Sequence, residues 1–405
     1  MNYKETTTWM FSRLPMYQHQ GAAAYKEDLS RTELLASHLN NPENKFKSVH
    51  IGGTNGKGST AHMFAAVLQE AGYKVGLYTS PHLKDFRERI RIDGKKIPEA
   101  TVVEFIKENK RFLEHHQLSF FEMTVGLAFD YFAKSQVDIA ILEVGLGGRL
   151  DSTNIINPEL SVITNIGLDH TQFLGDTLQK IATEKAGIIK SHTPVVIGET
   201  QSELKAIFID KARSLEANIS FADKEINQAL PCSLLGDCQK KNIKTVLQSL
   251  AVLKTKGFAV SESHIKKGLQ NVQKLTGLRG RWELLSETPK TICDTAHNRE
   301  GLTLVFNQLK KQSFEFLHLV IGMVSDKNLE KLLDIFPKQA QYYFCKPDIP
   351  RGVDAELLTQ KFYDKGINGK AYGSVTFAFE AAKKQASNDD IIFVGGSTFV
   401  VAEVL

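Results

Sequence analysis

A glycine-rich segment between a strand-like run and a helix-like run constrains the fold of this chain more than any other feature. The apolar residues 46–51 precede it, residues 60–71 have helical character, and the segment itself reads Gly53-Thr54-Asn55-Gly56-Lys57-Gly58-Ser59-Thr60. Because glycine lets a backbone approach a ligand closely, and because helix N-termini attract anions, this order predicts a phosphate-binding loop. A tight structural turn is the alternative interpretation.

The loop departs in detail from the common P-loop, in which a serine or threonine directly follows the lysine. Here Gly58 follows Lys57, and Ile51 occupies the position of an earlier glycine. We still expect the phosphates of ATP to lie against the loop amides and the lysine. The loop residues predicted to contact ATP are Asn55, Gly56, Lys57, Gly58 and Ser59.

Short apolar runs alternate with longer helix-like runs in the first part of the chain, which is the pattern of an α/β domain. Several of these runs are apolar on both faces, as strands of a parallel sheet covered by helices are. The ligands of such a sheet bind at the carboxyl ends of its strands. The predicted helices are residues 98–115, 122–134 and 177–190, and the predicted strands are residues 49–51, 75–78, 138–144, 160–164 and 194–198.

A second succession of strands and helices begins near Arg279. We therefore predict an α/β protein of two domains, a P-loop-type ATP-binding domain with a parallel sheet over residues 1–279 and a smaller, Rossmann-like α/β domain over residues 280–405. The alternative is that the glycine- and arginine-rich residues 276–281 form a surface loop within one large domain. The predicted strands of the second succession are residues 291–294, 316–322, 342–345 and 391–395, and its helices are residues 301–311 and 354–364.

The composition agrees with a soluble protein that binds small anionic ligands. The 50 Lys and Arg residues exceed the 46 Asp and Glu residues by only four, too few to indicate nucleic-acid binding. The first residues lack the pattern of a signal peptide, and no apolar run is long enough for a membrane span. Four cysteines without metal-type spacing suit a reducing compartment. We expect a cytoplasmic monomer without nucleic-acid or membrane partners.

Polar side chains lie at or after the ends of three predicted strands, namely Ser80, Glu143 and His170. Since parallel strands end at one edge of their sheet, we expect these side chains to converge beside the phosphate loop. Hydroxyl and carboxylate oxygens suit Mg²⁺, whereas a histidine is an atypical ligand for this ion. Each residue also has a structural interpretation: a turn for the serine, an ion pair for the glutamate and a helix cap for the histidine.

Six motifs occur in this chain in the order in which they occur in folylpolyglutamate synthases and dihydrofolate synthases, which are members of the Mur ligase superfamily. The chain resembles these enzymes in residues 53–60, 80–83, 143–151, 164–170, 184–190 and 294–298, which read GTNGKGST, SPHL, EVGLGGRLD, TNIGLDH, EKAGIIK and DTAHN. The strand pattern of the C-terminal part also fits this family.

The resemblance implies an ATP-dependent ligase that forms an amide through an acyl phosphate. ATP would phosphorylate the carboxylate of dihydropteroate, or that of the glutamate tail of a tetrahydrofolate, and the amino group of L-glutamate would then displace the phosphate. We expect a bifunctional enzyme, because residues 121–124 and 150–152, which are candidates for binding the pterin, resemble the corresponding segments of bacterial bifunctional members. A folylpolyglutamate synthase without the second activity is the alternative.

The resemblance also implies roles for residues of the first domain. Lys57 would hold the phosphates, Ser80 and Glu143 would bind one Mg²⁺, and His170 would bind a second. Lys185 would be carbamylated, which replaces a cation beside magnesium with a carboxylate-like group. From the pattern alone, Lys185 would instead lie on a solvated helical face.

The second domain would close over the nucleotide. By resemblance, Asn242, Arg281 and Asp294 contact ATP, and His297 joins Lys57 as a catalytic residue near the incoming glutamate. Ser397 is a further candidate for the glutamate pocket. The candidates for pterin binding combine an aromatic ring for stacking with polar groups for the donors of the pterin, and they are Phe121, Glu122, Thr124, Leu150, Asp151 and Ser152.

Two other functions are consistent with a nucleotide loop. A muropeptide ligase of the same superfamily would be expected to carry a dedicated N-terminal domain for its nucleotide-linked substrate. A GTPase-type switch without ligase activity would carry an Asn-Lys-x-Asp element, which this sequence lacks. Finally, the alternating Arg87, Arg89 and Arg91 predict a solvated edge strand, with attraction of anionic polyglutamate tails as the alternative.

Overall fold

The structure is a computed structural model that describes residues 1–14, 28–325 and 329–405 of the chain. Each of its two compact units contains one β-sheet. Unit 1 comprises Met1–Ser233 and Gln239–Leu278, and unit 2 comprises Leu234–Cys238 and Arg279–Leu405.

Unit 1 is built on an eight-stranded sheet with the spatial order β4-β3-β2-β5-β1-β6-β7-β8. The pairs from β2 to β8 are parallel, whereas β3 and β4 run antiparallel to their neighbours at one edge. The strands are β1 (Lys47–Gly52), β2 (Val75–Tyr78), β3 (Ile90–Ile92), β4 (Lys95–Lys96), β5 (Ile139–Glu143), β6 (Leu160–Ile163), β7 (Val195–Ile197) and β8 (Ile219–Phe221).

The five predicted strands of this sheet are confirmed, and three short strands were missed. β1, β2, β5 and β6 are buried along nearly their whole length, which is why apolar residues occur on both faces of each strand. β3, β4 and β8 have only two or three residues, so they leave no periodic signal in the sequence.

Apolar side chains of the helices and strands of unit 1 form two buried clusters that meet the same face of this sheet. The α-helices of this unit are α1 (Tyr3–Arg13), α2 (Ser30–His38), α3 (Lys57–Glu70), α4 (Glu99–His115), α5 (Phe120–Lys134), α6 (Thr171–Leu174), α7 (Leu178–Ala186), α8 (Lys205–Ser214), α9 (Ala222–Glu225), α10 (Gln239–Thr255), α11 (Glu262–Gln270) and α12 (Val272–Thr276).

One predicted helix boundary is wrong. The sequence predicted a helix over residues 177–190, but α7 ends at Ala186. Gly187 lies against Arg149, so that a β-carbon at Gly187 would be 2.4 Å from the Arg149 β-carbon. The chain therefore leaves the helix where a glycine allows another backbone to approach, and Lys190 lies beyond the helix.

Helix α3, which follows the glycine-rich segment, is the central helix of unit 1. Its residues from Ser59 to Leu68 are all buried, so no side of these turns faces solvent. Helix α11 packs against it through Gly268, where a β-carbon would lie 2.6 Å from the Cα atom of Val67. This glycine lets the two helix backbones come into contact.

Unit 2 contains a six-stranded sheet with the order β13-β12-β11-β14-β10-β9, in which only the β9–β10 pair is antiparallel. The four predicted strands are confirmed, and β9 and β13 were missed. The strands are β9 (Glu283–Glu287), β10 (Lys290–Cys293), β11 (Leu317–Ile321), β12 (Gln341–Cys345), β13 (Gly369–Tyr372) and β14 (Ile391–Gly395). The α-helices are α13 (Arg299–Leu309), α14 (Ala355–Tyr363), α15 (Val375–Gln385) and α16 (Thr398–Val404).

The prediction of a solvated arginine strand is wrong. Residues Phe86–Arg89 form a 3₁₀ helix, and only Arg91 of the three arginines lies in strand β3. Arg89 is 4% exposed and donates to His82 Nδ1 over 2.7 Å, while Arg91 is 7% exposed and donates to the carbonyl of Gly94 over 3.0 Å. Burial of both guanidinium groups lowers their pKa values.

No helix among the residues described is long and apolar enough to cross a membrane.

Replacement of Gly268 tests the helix contact on which unit 1 is built. We expect Gly268→Ala to reduce the free energy of unfolding by about 1–3 kcal/mol, because the added methyl group overpacks the α3–α11 contact. The measurement is chemical or thermal denaturation of the purified protein. Gly373→Ala is the matched control, because a β-carbon at Gly373 meets no heavy atom within 4 Å among the described residues beyond its two chain neighbours. Equal stabilities of the two variants would contradict this account of the contact.

Candidate active site

The register of three central strands brings the predicted site segments to one edge of the unit 1 sheet. β1 pairs in parallel with β5 and with β6, so that Ile51 lies opposite Glu143 and Gly52 lies opposite Ile163. The glycine-rich segment, the end of β5 and the segment after β6 therefore begin at the same level. The register therefore places these segments together at the carboxyl ends of the strands, where the sequence predicted the site.

The glycine-rich segment has the backbone conformation of a tight loop that opens a helix. Gly53 and Gly56 have φ angles of 133° and 86°, in the region that favours glycine, and α3 begins at Lys57. A β-carbon at Gly56 would lie 2.3 Å from Asn242 Oδ1 of helix α10. The structure thus places Asn242 against the loop, together with the loop residues predicted to bind ATP.

Asn242 belongs to a short chain of hydrogen bonds that ends in the loop helix. Its amide nitrogen donates to Gln239 Oε1 over 2.8 Å, and the Gln239 amide nitrogen donates to Ser59 Oγ over 3.3 Å. Ser59 is buried, so its hydroxyl is enclosed by protein atoms, whereas Asn55 and Gly58 are only partly buried. Gly56 and Asn242 are 186 positions apart in the sequence but lie side by side in the structure.

The segment after β6 holds the loop in place through its backbone. The Thr54 N–H donates to the Asn165 carbonyl and the Asn55 N–H donates to Asn165 Oδ1, each over 2.9 Å. Thr164 Oγ1 donates to the Asn55 carbonyl over 2.7 Å. No role was predicted for Thr164 or Asn165 individually, although polar residues directly after a buried strand were a signal that could have found them.

Two lysines donate to the same carbonyl oxygen of the loop. Lys57 Nζ lies 3.1 Å from the carbonyl oxygens of Gly53 and Thr54, and Lys185 Nζ lies 2.7 Å from the Gly53 oxygen. Lys185 is 4% exposed, so the interpretation of this residue as part of a solvated face is wrong. Its burial, reinforced by the charge of Lys57, lowers the pKa of Lys185 to about 7.

Ser80 and Glu143 lie in contact, as the predicted metal site requires. The Ser80 N–H donates to Glu143 Oε2 over 3.1 Å, and the glutamate is buried at the end of β5. His170 follows β6 in the left-handed region, with a φ of 49°, and its Nε2 lies 3.9 Å from Asp169 Oδ2. The hydrogen bond thus joins two of the three predicted ligands.

The oxygen atoms of Glu143 and Ser80 suit a hard divalent cation whose remaining ligands come from a bound phosphate and from water. A buried carboxylate with an adjacent serine supplies oxygen donors, which Mg²⁺ prefers, next to a phosphate-binding loop. Among the residues described, no group of three or more His, Cys, Asp or Glu side chains is arranged to hold a metal ion. A cation here would therefore complete its coordination with phosphate oxygens and water.

The predicted pterin residues Phe121 and Asp151 meet at Gly145. A β-carbon at Gly145 would lie 2.4 Å from the Phe121 ring and 3.2 Å from Asp151 Oδ2. Asp151 is buried and accepts hydrogen bonds from the N–H groups of Leu146 and Thr153 over 2.8 and 3.0 Å. Burial raises the pKa of the Asp151 carboxyl, against these hydrogen bonds. The aspartate thus shapes the glycine-rich segment after β5 beside an aromatic ring.

The remaining pterin candidates have structural partners of their own. Glu122 completes the capping box of α5, accepting from the Ser119 N–H over 2.6 Å, and Thr124 Oγ1 donates to the Phe120 carbonyl over 2.7 Å. Ser152 is buried in a 3₁₀ turn, whereas Leu150 is partly exposed. Of the six candidates, Phe121 and Asp151 are the pair that the structure brings together.

In unit 2, Arg281 and Asp294 join the segment before strand β9 to the segment after β10. Arg281 donates to Thr295 Oγ1 and, over 3.2 Å, to the Gly280 carbonyl. Asp294 accepts from the N–H groups of Trp282 and Ala296 over 2.7 and 2.8 Å. Both side chains thus lie at the carboxyl end of β10, the end at which ligands of a parallel sheet bind.

His297 and Ser397 also follow strands of the unit 2 sheet. His297 Nδ1 lies 3.0 Å from the Thr295 carbonyl oxygen, which fixes this nitrogen as the donor. Ser397 is buried, and its hydroxyl accepts from the Phe399 N–H over 3.2 Å as the N-cap of α16. The serine therefore has a capping role that the sequence analysis did not anticipate.

A buried histidine that the sequence analysis missed connects β1 to the segment of Asp151. His50 Nε2 lies 2.8 Å from Thr153 Oγ1, which itself donates to Asp151 Oδ1 over 2.5 Å. The hydroxyl donates to Asp151 and can only accept from the imidazole, so Nε2 carries the proton, and the buried Nδ1 has no hydrogen-bond partner among the residues described. Burial lowers the pKa of His50 to about 3, which keeps the ring neutral.

Comparison with known proteins identifies the class to which this fold and site belong. The Mur ligase middle domain matches residues 51–273, and the glutamate ligase domain of the Mur ligases matches residues 280–398. The first match alone covers more than half of the chain. The chain therefore belongs to the Mur ligase family.

Two curated relatives narrow the position within that family. The chain is 34% identical over 394 residues to the dihydrofolate synthase/folylpolyglutamate synthase of Escherichia coli, covering 93% of this chain and 90% of that protein. It is also 34% identical to a probable bifunctional folylpolyglutamate synthase/dihydropteroate synthase of Haloferax volcanii, of which it spans only 50%. The chain is a member of the folylpolyglutamate synthase and dihydrofolate synthase group of Mur ligases.

Solved structures agree with this placement. The structure of E. coli FolC in complex with DHPP and ADP has a TM-score of 0.87 and 31% sequence identity to this chain, covering 100% of this chain and 97% of that one. A bifunctional folylpolyglutamate synthase/dihydrofolate synthase with Mn, AMPPNP and L-glutamate bound has a TM-score of 0.85 and 29% identity, with the same coverage.

Because His50 is neutral in the folded chain, we expect the free energy of unfolding to decrease as the pH is lowered. Its folded pKa of about 3 lies below the ordinary value of 6.5, so the unfolded chain binds more protons between these values and stability falls as the pH falls through this window. We expect His50→Gln, which can still donate to Thr153, to reduce the slope of unfolding free energy against pH by up to about 1.4 kcal/mol per pH unit. Denaturation at pH 7.5, 6.0 and 4.5 measures this slope.

The exposed His192 provides the control for this experiment, because its side chain is 71% exposed. His192→Gln is expected to keep the slope of the parent protein. If His50→Gln also keeps that slope, the histidine does not stay neutral in the folded chain.

Proposed function

We propose that this protein is an ATP-dependent amide ligase that joins L-glutamate to dihydropteroate and to the glutamate tail of tetrahydrofolate through an acyl phosphate. The observation that carries the proposal is the glycine-rich loop whose Gly53 carbonyl receives both Lys57 and Lys185, beside the contact between Ser80 and Glu143. Membership of the folylpolyglutamate synthase and dihydrofolate synthase group supports the same reaction.

The reaction overcomes the low reactivity of a carboxylate by changing its leaving group. A carboxylate oxygen of the acceptor attacks the γ-phosphorus of ATP, and the bond to ADP breaks. The amino nitrogen of glutamate then attacks the acyl carbon, phosphate leaves with its bonding electrons, and the nitrogen loses a proton. Phosphoryl transfer of this kind depends on positioning and on neutralisation of charge more than on covalent chemistry by the protein.

The residues of unit 1 supply that positioning. The loop amides and the Lys57 ammonium group hold the phosphates, and Asn242 contacts the nucleotide next to Gly56. Ser80 and Glu143 would hold a first Mg²⁺, and His170 would contribute to a second. Such ions would neutralise charge on the phosphate oxygens. Phe121 stacks on the pterin, and Asp151 keeps the adjoining glycine-rich segment in shape.

The residues of unit 2 are assigned to the nucleotide and to glutamate. Arg281 and Asp294 contact ATP, and His297 lies near the incoming amino acid as a catalytic residue. Ser397 remains a candidate for the glutamate pocket, although its hydroxyl caps helix α16. A cytoplasmic location and a monomeric state remain predictions from the sequence.

Lys185 is the residue for which we propose a covalent modification. A neutral amine adds to carbon dioxide, forming an N–C bond and releasing one proton, to give a carbamate. Burial meets the main requirement, because it lowers the pKa of Lys185 to about 7 and so provides the uncharged amine near neutral pH. The product carries a negative charge beside the site proposed for Mg²⁺, where an ammonium group would be repelled.

Phosphate release from ATP tests the proposed reaction. We expect release that requires both dihydropteroate and L-glutamate, and separate release that requires tetrahydrofolate and L-glutamate, with the amide products identified by mass spectrometry. Turnover with tetrahydrofolate alone as acceptor would restrict the function to that of a folylpolyglutamate synthase. Hydrolysis that is unaffected by either acceptor would contradict the ligase assignment.

Replacement of Lys185 tests the carbamate. We expect Lys185→Ala to reduce kcat by about 100-fold or more, because a preorganised charged group at the reacting phosphates is lost. The parent enzyme is expected to lose activity in buffer free of carbon dioxide and to regain it with bicarbonate. Lys180→Ala on the same helix is the control, because this side chain is 64% exposed and pairs with Asp176. Full activity of Lys185→Ala would rule the carbamate out.

A further inference from the structure

A chain of hydrogen bonds runs from the phosphate loop to an ion pair on the surface of unit 1. The Asn55 N–H donates to Asn165 Oδ1 over 2.9 Å, and Asn165 Nδ2 donates to Glu199 Oε1 over 3.0 Å. The second carboxylate oxygen, Glu199 Oε2, accepts from Lys241 Nζ over 2.6 Å. Each group in the chain contacts the next, so the carboxylate lies between an amide and an ammonium group.

The donors and acceptors in this chain allow only one arrangement. A backbone N–H can only donate, so the oxygen of the Asn165 amide must face Asn55. The nitrogen of that amide therefore faces Glu199, and it too can only donate. Lys241 approaches the carboxylate from the other side, also as a donor. An acceptor with two oxygens, which a carboxylate provides, satisfies both neighbours at once.

The segment that contains Glu199 is itself held firmly against the segment after β6. The Gln201 side chain accepts from the Ile166 N–H and donates to the Ile166 carbonyl, both over 2.9 Å. A β-carbon at Gly198 would lie 2.5 Å from the Thr164 carbonyl oxygen, so the two backbones touch. Glu199 therefore has a fixed position from which to orient the Asn165 amide.

We propose that Glu199, on the segment held by Gln201, is a positioning residue of the phosphate loop that acts through the Asn165 amide. The proposal rests on the assignment of the ATP phosphates to residues 53–60. Glu199 fixes the orientation of the Asn165 amide, so that Asn165 Oδ1 accepts from the Asn55 N–H. The loop then keeps the shape in which its other N–H groups are available to phosphate.

The substitution Glu199→Gln tests whether the two acceptor oxygens of Glu199 set the orientation of the Asn165 amide. Its side chain has nearly the same shape but offers one acceptor and one donor pair instead of two acceptors. If its oxygen faces Lys241, its NH₂ group meets the NH₂ group of Asn165, and the Asn165 amide must rotate. The Asn165 NH₂ group then faces the Asn55 N–H, which leaves two donors in contact and displaces the loop.

Removal of the ammonium group should reverse this effect. In the double variant Glu199→Gln/Lys241→Met, the ammonium group no longer competes for the glutamine oxygen. The oxygen is then free to accept from Asn165 Nδ2, and the original orientation of the asparagine returns. A second substitution that repairs the first is expected only if the donor and acceptor pattern, and not the charge or the bulk of Glu199, controls the loop.

Glu159 provides a matched control. Its carboxylate forms an ion pair with Lys256 over 3.0 Å, and its side chain is 28% exposed, compared with 26% for Glu199. Glu159 precedes β6, whereas Asn165 follows it, so the control lies at the end of the sheet away from the phosphate loop. Glu159→Gln removes the same charge without reaching the site.

The experiment is steady-state kinetics of the full-length protein at saturating acceptor and L-glutamate, with ATP varied, together with melting temperatures. For Glu199→Gln we expect a rise in KM for ATP of about tenfold, from one lost hydrogen bond. We expect values within about threefold of the parent for Lys241→Met, for Glu199→Gln/Lys241→Met and for Glu159→Gln, since exposed ion pairs contribute little.

An unchanged KM in Glu199→Gln would overturn the proposal, and so would a double variant as impaired as the single one. A lower melting temperature with an unchanged KM would assign Glu199 to stability alone. A parent enzyme that releases no phosphate with either acceptor would instead contradict the proposed function, so the two failures can be told apart.

Discussion

Parallel pairing of β1 with β5 and with β6 is the constraint on which the site depends. This pairing sets Ile51 opposite Glu143 and Gly52 opposite Ile163, so the phosphate loop, the buried carboxylate and the Thr164–Asn165 segment leave the sheet together. A shift of one residue would turn the side chains of a strand to the opposite face. The register therefore decides which polar groups surround the loop before any ligand contributes to the site.

Within that frame, burial changes the chemistry of ordinary side chains. Lys185 would be a charged surface group on an isolated helix, but enclosure beside Lys57 gives it a pKa of about 7 and a contact with the Gly53 carbonyl. His50 is kept neutral by the same physical effect in a strand that leads to the loop. The proposed carbamate depends on the burial of the Lys185 amine, and the proposed role of Glu199 depends on the hydrogen bonds that join it through Asn165 to the loop.

Much of the fold followed from patterns that a single strand or helix carries in its own sequence. Nine buried strands of three to six residues were found because largely apolar runs mark them, whereas β4, with two exposed residues, has no such run. The burial of Arg89 and Arg91 was not predictable, because alternation of charged residues normally indicates an exposed face. The structural roles of Glu122 and Ser397 were missed for a related reason, since a capping side chain looks the same in the sequence as a ligand-binding one.

The sequence by itself determined the alternation of nine strands with helices, the glycine-rich loop before α3 and the motifs that place the chain among the Mur ligases. These features depend on residues that are close together in the chain. Only the tertiary structure decided that Lys185 contacts Gly53, 132 positions away, and that Asn165 lies between Asn55 and Glu199. The physical reason is that burial and hydrogen-bond partners are properties of the packed sheet, which joins segments that no local pattern connects.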